Sequence, residues 1–223
     1  MRTCAMRKAV LAALAAVGLI AAAPAAAVVS GNNGKIIYTL QTSGNFDIWA
    51  VNSDGNGNAP LITDAANDQG GAWSPDGTKI AFRSDRTGGG DIYIADANGA
   101  NQVRMTNDPA QESHPSWSPD GTKIAFARKD PDDEIFVMDA VPLAGAQRLT
   151  TNTVTDAGPD WSPDGLRIVF FRGNNVLHVM NAPDGSDQRE FIPGNLSVGP
   201  QWSPDARRVV FQRSVGGHKR SAR

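Results

Sequence analysis

Trp73-Ser74-Pro75-Asp76-Gly77-Thr78-Lys79-Ile80-Ala81-Phe82 recurs without a change as residues 117–126. The stretch returns with substitutions as Trp161-Ser162-Pro163-Asp164-Gly165-Leu166-Arg167-Ile168-Val169-Phe170 and as Trp202-Ser203-Pro204-Asp205-Ala206-Arg207-Arg208-Val209-Val210-Phe211. Successive tryptophans, Trp73, Trp117, Trp161 and Trp202, stand 44, 44 and 41 residues apart. Each copy reads as a β-hairpin. The proline presets φ for the second turn position, and the aspartate can accept backbone N–H groups just beyond it. Gly77, Gly121 and Gly165 supply the left-handed conformation that releases the next strand. Ala206 stands at that position in the last copy, so its turn is expected to carry about 1 kcal/mol of strain.

The tryptophan ends one strand, and Ile80/Phe82, Ile124/Phe126, Ile168/Phe170 and Val209/Phe211 alternate on one face of the next. Third strands follow at Asp91–Asp96, Glu134–Asp139 and Val176–Asn181, and short fourth strands include Arg104–Thr106 and Arg148–Thr150. Lys35–Leu40, Phe46–Asn52 and Leu61–Thr63 repeat strands two to four without a tryptophan motif before them. A unit of about 40–50 residues made of four short strands is the period of a β-propeller blade. The expected fold is all-β: four-stranded antiparallel blades, about four to five of them, with only two strands in the last.

Residues 1–27 read as a secretory signal peptide. Arg2, Arg7 and Lys8 precede an uncharged run from Ala9 to Ala23, and Pro24-Ala25-Ala26-Ala27 supplies the small-residue cleavage pattern. The run is short for a bilayer span, so no stable membrane span is expected after cleavage. Cys4 lies ahead of it, which leaves no cysteine for a disulfide or a thiolate metal site after cleavage. The segment holds three basic and no acidic side chains, so its removal takes the formal net charge from −2 to −5. An acidic exported domain excludes nucleic acid as the expected partner, because that recognition needs a basic patch. Residues 28–34 are expected as a linker, 35–213 as the propeller, and 214–223 as a basic disordered tail.

The repeats, with Asp91-Ile92-Tyr93-Ile94 and the closing Arg104-Met105-Thr106 or Arg148-Leu149-Thr150, resemble the TolB-type or WD40-like (PD40) β-propeller repeat over roughly residues 35–213. Members of that family include the exported TolB component of the Tol–Pal envelope system and propeller domains of prolyl-oligopeptidase-like peptidases. TolB places a separate α/β domain before a six-bladed propeller, and the peptidases add a hydrolase domain; this sequence shows neither. The resemblance therefore implies the fold, here an incomplete, open version of the six-bladed ring, more than either role. It also implies periplasmic or extracellular placement.

No Gly-x-Ser-x-Gly elbow, Gly-rich phosphate loop or His-x-x-x-His pair occurs in the chain. No catalytic residue, metal site or cofactor is expected. The segments leading into the first strand of each blade should cluster at one mouth of the central channel. Five residues before each tryptophan stand Asp68, Glu112 and Asp156, with His114 beside the second; these four are the candidate binding residues. An acidic ring there would suit a cation, a peptide amine or a basic partner, whereas the same carboxylates would otherwise be solvated or cap turns. His178 replaces Tyr93 and Phe136 of the neighbouring blades and reads as strand packing. Asn52–Asn58 resembles a calcium loop but lacks the distal glutamate, and reads as a polar hairpin turn. Arg128, Arg172 and Arg213 follow the motif phenylalanine by two, either as an interaction rim or in ion pairs with loop aspartates such as Asp130.

The expected function is a non-catalytic binding or scaffold protein that engages a protein, peptide or envelope component through one face. The alternative is a propeller module of a hydrolase or lyase without its catalytic domain. An open ring would also leave Val209–Phe211 uncovered, and self-association through that edge is expected.

Overall fold

The computed structural model describes residues 34–42, 44–174, 176–192, 197–215 and 218–222. The expected signal peptide lies outside them. No helix of the described residues is long and apolar enough to cross a membrane.

The described residues form five antiparallel sheets in sequence order. The first holds β1 (Ile36–Thr42), β2 (Asn45–Val51) and β3 (Ala59–Ile62). The second runs β4 (Asp68–Trp73), β5 (Lys79–Ser84), β6 (Asp91–Asp96) and β7 (Val103–Arg104). The third holds β8 (Glu112–Trp117), β9 (Lys123–Lys129), β10 (Asp133–Asp139) and β11 (Ala146–Arg148). The fourth is β12 (Asp156–Trp161), β13 (Arg167–Arg172), β14 (Val176–Asn181) and β15 (Arg189–Ile192), and the fifth is β16 (Ser197–Trp202), β17 (Val209–Val215) and β18 (His218–Ala222).

The motif turns form as their sequence dictates. Ser74 Oγ donates to Asp76 Oδ1 at 2.6 Å and accepts the Lys79 N–H at 2.9 Å, while Asp76 Oδ1 accepts the Thr78 N–H at 3.0 Å. The hydrogen bond from Ser74, followed by those from Thr78, holds the Asp76 carboxyl below its usual range. Gly77, Gly121 and Gly165 have φ of 70°, 71° and 75°, and Ala206 is held at 55°. The strain anticipated at Ala206 is therefore present.

Consecutive sheets pack face to face. Ile48 and Ile62 of the first sheet meet Ile80, Phe82 and Tyr93 of the second. Ala81, Ile92 and Met105 then meet Phe126 and Phe136 of the third. Ala125, Ala127 and Val137 meet Trp161, Ile168 and Phe170, and Val169 and Leu177 meet Val209 and Phe211. At each contact small aliphatic side chains receive an aromatic-bearing face. His178 occupies the aromatic position as expected, tilted against Phe170 at 5.8 Å between centroids. The Asn52–Asn58 segment is the β2–β3 turn, closed by Gly55 N–H to Asn52 O and Asn56 N–H to Asp54 Oδ1, each at 2.9 Å.

The arc stays open. β16 pairs with β17 and not with β1, so the first sheet keeps three strands, and inter-sheet packing runs only between consecutive sheets among the described residues. Two expectations need correction. The last blade holds three strands rather than two. Residues 214–223 are not a disordered tail throughout, since β17 extends to Val215 and His218–Ala222 pairs along it with Ala222 opposite Phe211. β18 thus covers the outer edge of β17, whose backbone groups pair with a strand whatever its side-chain pattern.

Candidate functional site

Asp68, Glu112 and Asp156 open β4, β8 and β12, as their phase before the tryptophan implies, but they form no exposed ring. All three are fully buried. Asp68 Oδ1 meets Arg86 Nη2 at 3.0 Å, and Glu112 Oε1 meets Arg128 Nη2 at 2.7 Å. Asp156 takes Arg172 on both oxygens, at 2.7 Å from Nε and 2.8 Å from Nη2, and accepts Asn152 Nδ2 at 2.6 Å. Burial raises the carboxyls of Asp68 and Glu112 above their usual range, with hydrogen bonds from Ser84 and Arg86, and from Thr106 and Arg128, opposing it.

Each arginine also lies over the aromatic face of its own sheet: Arg86 over Tyr93 at 4.7 Å, Arg128 over Phe136 at 4.5 Å, and Arg172 over Phe170 at 5.3 Å. The acids expected as a channel-mouth ring, or else as solvated caps, are therefore internal pillars of the sheets, each compensated by a cation. Arg128 and Arg172 are their partners, Arg128 reaching Asp108 at 3.2 Å as well, while Asp130 faces Arg148 at 3.6 Å. The side chain of Arg213 lies outside the described residues.

His114 stands apart from these acids. In each of these innermost strands the ladder slips between the residues four places and one place before the tryptophan: Gln69/Ala72, Ser113/Ser116, Ala157/Asp160 and Val198/Gln201. The bulge places one residue in the left-handed region, Gly70 at φ 66°, Gly158 at 61° and Gly199 at 60°. The third sheet puts His114 there, at 54°. A side chain in this position carries about 1 kcal/mol or more of backbone strain.

The imidazole of His114 stays exposed, with Nδ1 2.9 Å from Ser113 Oγ. Protein crowded about the ring holds its pKa below the ordinary imidazole value, with Asp133 opposing that shift and Arg83 adding to it. Arg83 lies over Gly90, whose carbonyl oxygen accepts the Glu112 N–H at 2.8 Å. Neither Arg83 nor Asp133 was singled out by the sequence. Their signal is that the places equivalent to Arg83 hold Thr39, Ala127, Phe171 and Gln212 in the other sheets.

The opposite ends of the sheets form a groove of about 1130 Å³ beside the motif turns, lined by Trp117, Trp161, Pro75, Pro119, Met105 and Lys123 among others. Sequence reasoning missed it, although the repeated Pro-Asp-Gly turns stack along its wall. No group of three or more His, Cys, Asp or Glu side chains suited to a metal occurs among the described residues.

Comparison with known proteins places this geometry. The model of the TolB β-propeller domain, PD40, matches residues 10–175 and 106–222. No curated protein is similar enough in sequence to match. Among solved structures the chain is similar to TolB from Acinetobacter baumannii, with 22% identity and a TM-score of 0.75, over 86% of this chain and 50% of that one. It is similar to a putative TolB from Agrobacterium tumefaciens, at 24% identity and a TM-score of 0.68, over 82% of this chain and 69% of that one. An oligogalacturonate lyase from Vibrio parahaemolyticus shares the fold at 14% identity and a TM-score of 0.56, over 79% and 53%. The chain thus spans about half the length of the first of these structures. Matched by the family model over most of its length, it belongs to the TolB β-propeller domain (PD40) family.

Proposed function

We propose that this chain is an exported, non-catalytic propeller of the periplasm or cell surface that binds a protein, peptide or envelope component through the end of its channel where His114 lies. The observation that carries the reading is the left-handed His114. Three sheets build the same bulge from glycine, and the third spends stability on an exposed imidazole. Strain of that kind, at a solvent-facing polar side chain that feels the charges of Arg83 and Asp133, is a feature of recognition surfaces rather than of packing. The buried acids support the site from behind by fixing the start of each innermost strand.

The test replaces His114 by glycine. His114→Gly should raise the unfolding free energy by about 1 kcal/mol and at the same time weaken capture of a partner from envelope extract by the tagged chain. A variant that is stabilised but captures the same proteins in the same amount would remove the channel end as the binding surface. Pectate-type lyase or peptidase activity in the purified chain would instead favour the enzyme-module alternative.

A further inference from the structure

Among the described residues the first sheet lacks the strand that every other sheet places innermost. Lys35-Ile36-Ile37-Tyr38 aligns with Lys79-Ile80-Ala81-Phe82 and Lys123-Ile124-Ala125-Phe126, so β1 is a second-position strand. In the other sheets that strand is covered on its inner edge by β4, β8, β12 or β16, with Trp73 opposite Ile80, Trp117 opposite Ile124, Trp161 opposite Ile168 and Trp202 opposite Val209. Among the described residues nothing pairs with this edge of β1. Ile36 is accordingly 55% exposed, whereas Ile80, Ile124 and Ile168 are at 0%.

Every other edge is guarded. β3 carries Pro60, β7 and β11 have two and three residues, β15 has Arg189 and Glu190, β18 is rich in cations, and the innermost strands are bulged. β1 is seven residues long, pairs with β2 without a break from Ile36 to Thr42, and contains no charge and no proline. An edge of that kind invites strand addition.

We propose that the inner edge of β1 is a docking site for an extended segment of another polypeptide, which adds as the missing innermost strand. The four resident strands define its chemistry. A left-handed residue forms the bulge, glycine in three of the four strands and followed by proline in three, as in Gly158-Pro159, and an aromatic ends the segment opposite Ile36, as Trp161 does opposite Ile168. The first position differs from the resident strands. Glu112 and Asp156 lie opposite Arg128 and Arg172, and the place of those arginines on β1 is held by Leu40. The segment should therefore begin with an aliphatic residue and reject a carboxylate. This site goes beyond the channel-end reading and does not depend on it.

The test uses synthetic peptides of residues 155–162 titrated calorimetrically into the intact chain. The peptide with Asp156→Val should bind saturably and at least about tenfold more tightly than the unaltered one, which buries an unpaired carboxylate. Adding Trp161→Ala should weaken it by about tenfold or more. Ile36→Asp in the protein, at an exposed position, should abolish binding without changing the fold seen by circular dichroism. Absence of binding, binding that survives Ile36→Asp, or preference for the Asp156 peptide would overturn the proposal. Sedimentation showing self-association that Ile36→Asp removes would assign the edge to a second copy and overturn it equally.

Discussion

Asp160 on β12 accepts the backbone N–H of Trp202 on β16 at 2.7 Å, so one carboxylate ties the fourth sheet to the fifth. Ser116 Oγ donates to the same carboxylate at 3.3 Å and accepts the Trp161 N–H at 3.1 Å, which extends the tie to the third sheet. Burial in this contact pushes the Asp160 pKa up to about 6 against an ordinary 3.8.

A raised carboxyl pKa means that the folded chain holds the proton more tightly than the unfolded one. The resulting stability is fully present below pH 3.8 and is lost as pH rises through about 6. Asp160→Asn keeps an oxygen for the Trp202 N–H and removes the titration. The variant should gain on the wild type by about 2 kcal/mol between pH 4 and pH 7. Urea unfolding of both proteins across that range checks it, the shared contribution of the turn aspartates cancelling in the difference.

The buried pair Asp156–Arg172 should be strongly coupled. Asp156→Ala leaves Arg172 and Asn152 without their shared acceptor and should cost about 3 kcal/mol. Arg172→Ala should cost a similar amount, and the double variant much less than their sum. Glu112→Ala should cost less than Asp156→Ala, because Arg128 keeps Asp108 at 3.2 Å. A double-mutant cycle from denaturant midpoints measures both expectations.

Gly158 and His114 share a backbone conformation but not a neighbourhood. A Cβ on Gly158 would stand 2.6 Å from Phe171 Cε1, while φ is already 61°. Gly158→Ala should therefore destabilise by about 2–3 kcal/mol, from steric and backbone terms together. Thermal unfolding followed by circular dichroism would register it as a clear loss in Tm.

Ala206→Gly should act in the opposite direction. At φ 55° in the last motif turn, glycine relieves strain that the other three turns avoid. A gain of about 1 kcal/mol is expected, visible as slower exchange of the amides in β16 and β17.

The repeats made most of the fold legible in advance. Trp-Ser-Pro-Asp-Gly fixes a turn through its own side chains, and Ile-x-Phe fixes which face of the next strand is buried, so strands and sheets follow from neighbours in sequence. The sequence places the acids in loops leading into the innermost strands, as a ring at the channel mouth or as solvated caps, whereas they head those strands and are buried. Their partners lie 16 to 18 residues away, on the next strand for Glu112 and Asp156 and just past its end for Asp68, and the arginine follows the motif phenylalanine by four in the second sheet and by two in the third and fourth. No fixed spacing announced those pairs. His114 could have been weighted more heavily, since aligning the copies on tryptophan sets it against Gly70, Gly158 and Gly199. β18 left no trace, because His218-Lys219-Arg220-Ser221-Ala222 has no alternation and owes its strand to the backbone edge beside it.

Packing that runs only between consecutive sheets turns the arc into a row of units coupled in pairs. Each inner sheet is stabilised by two contacts and each end sheet by one, so the ends melt first and the middle last. Length is then a tunable quantity. Adding or losing a terminal repeat changes one contact and leaves the others intact, and a chain assembled this way can vary in extent without redesigning its core.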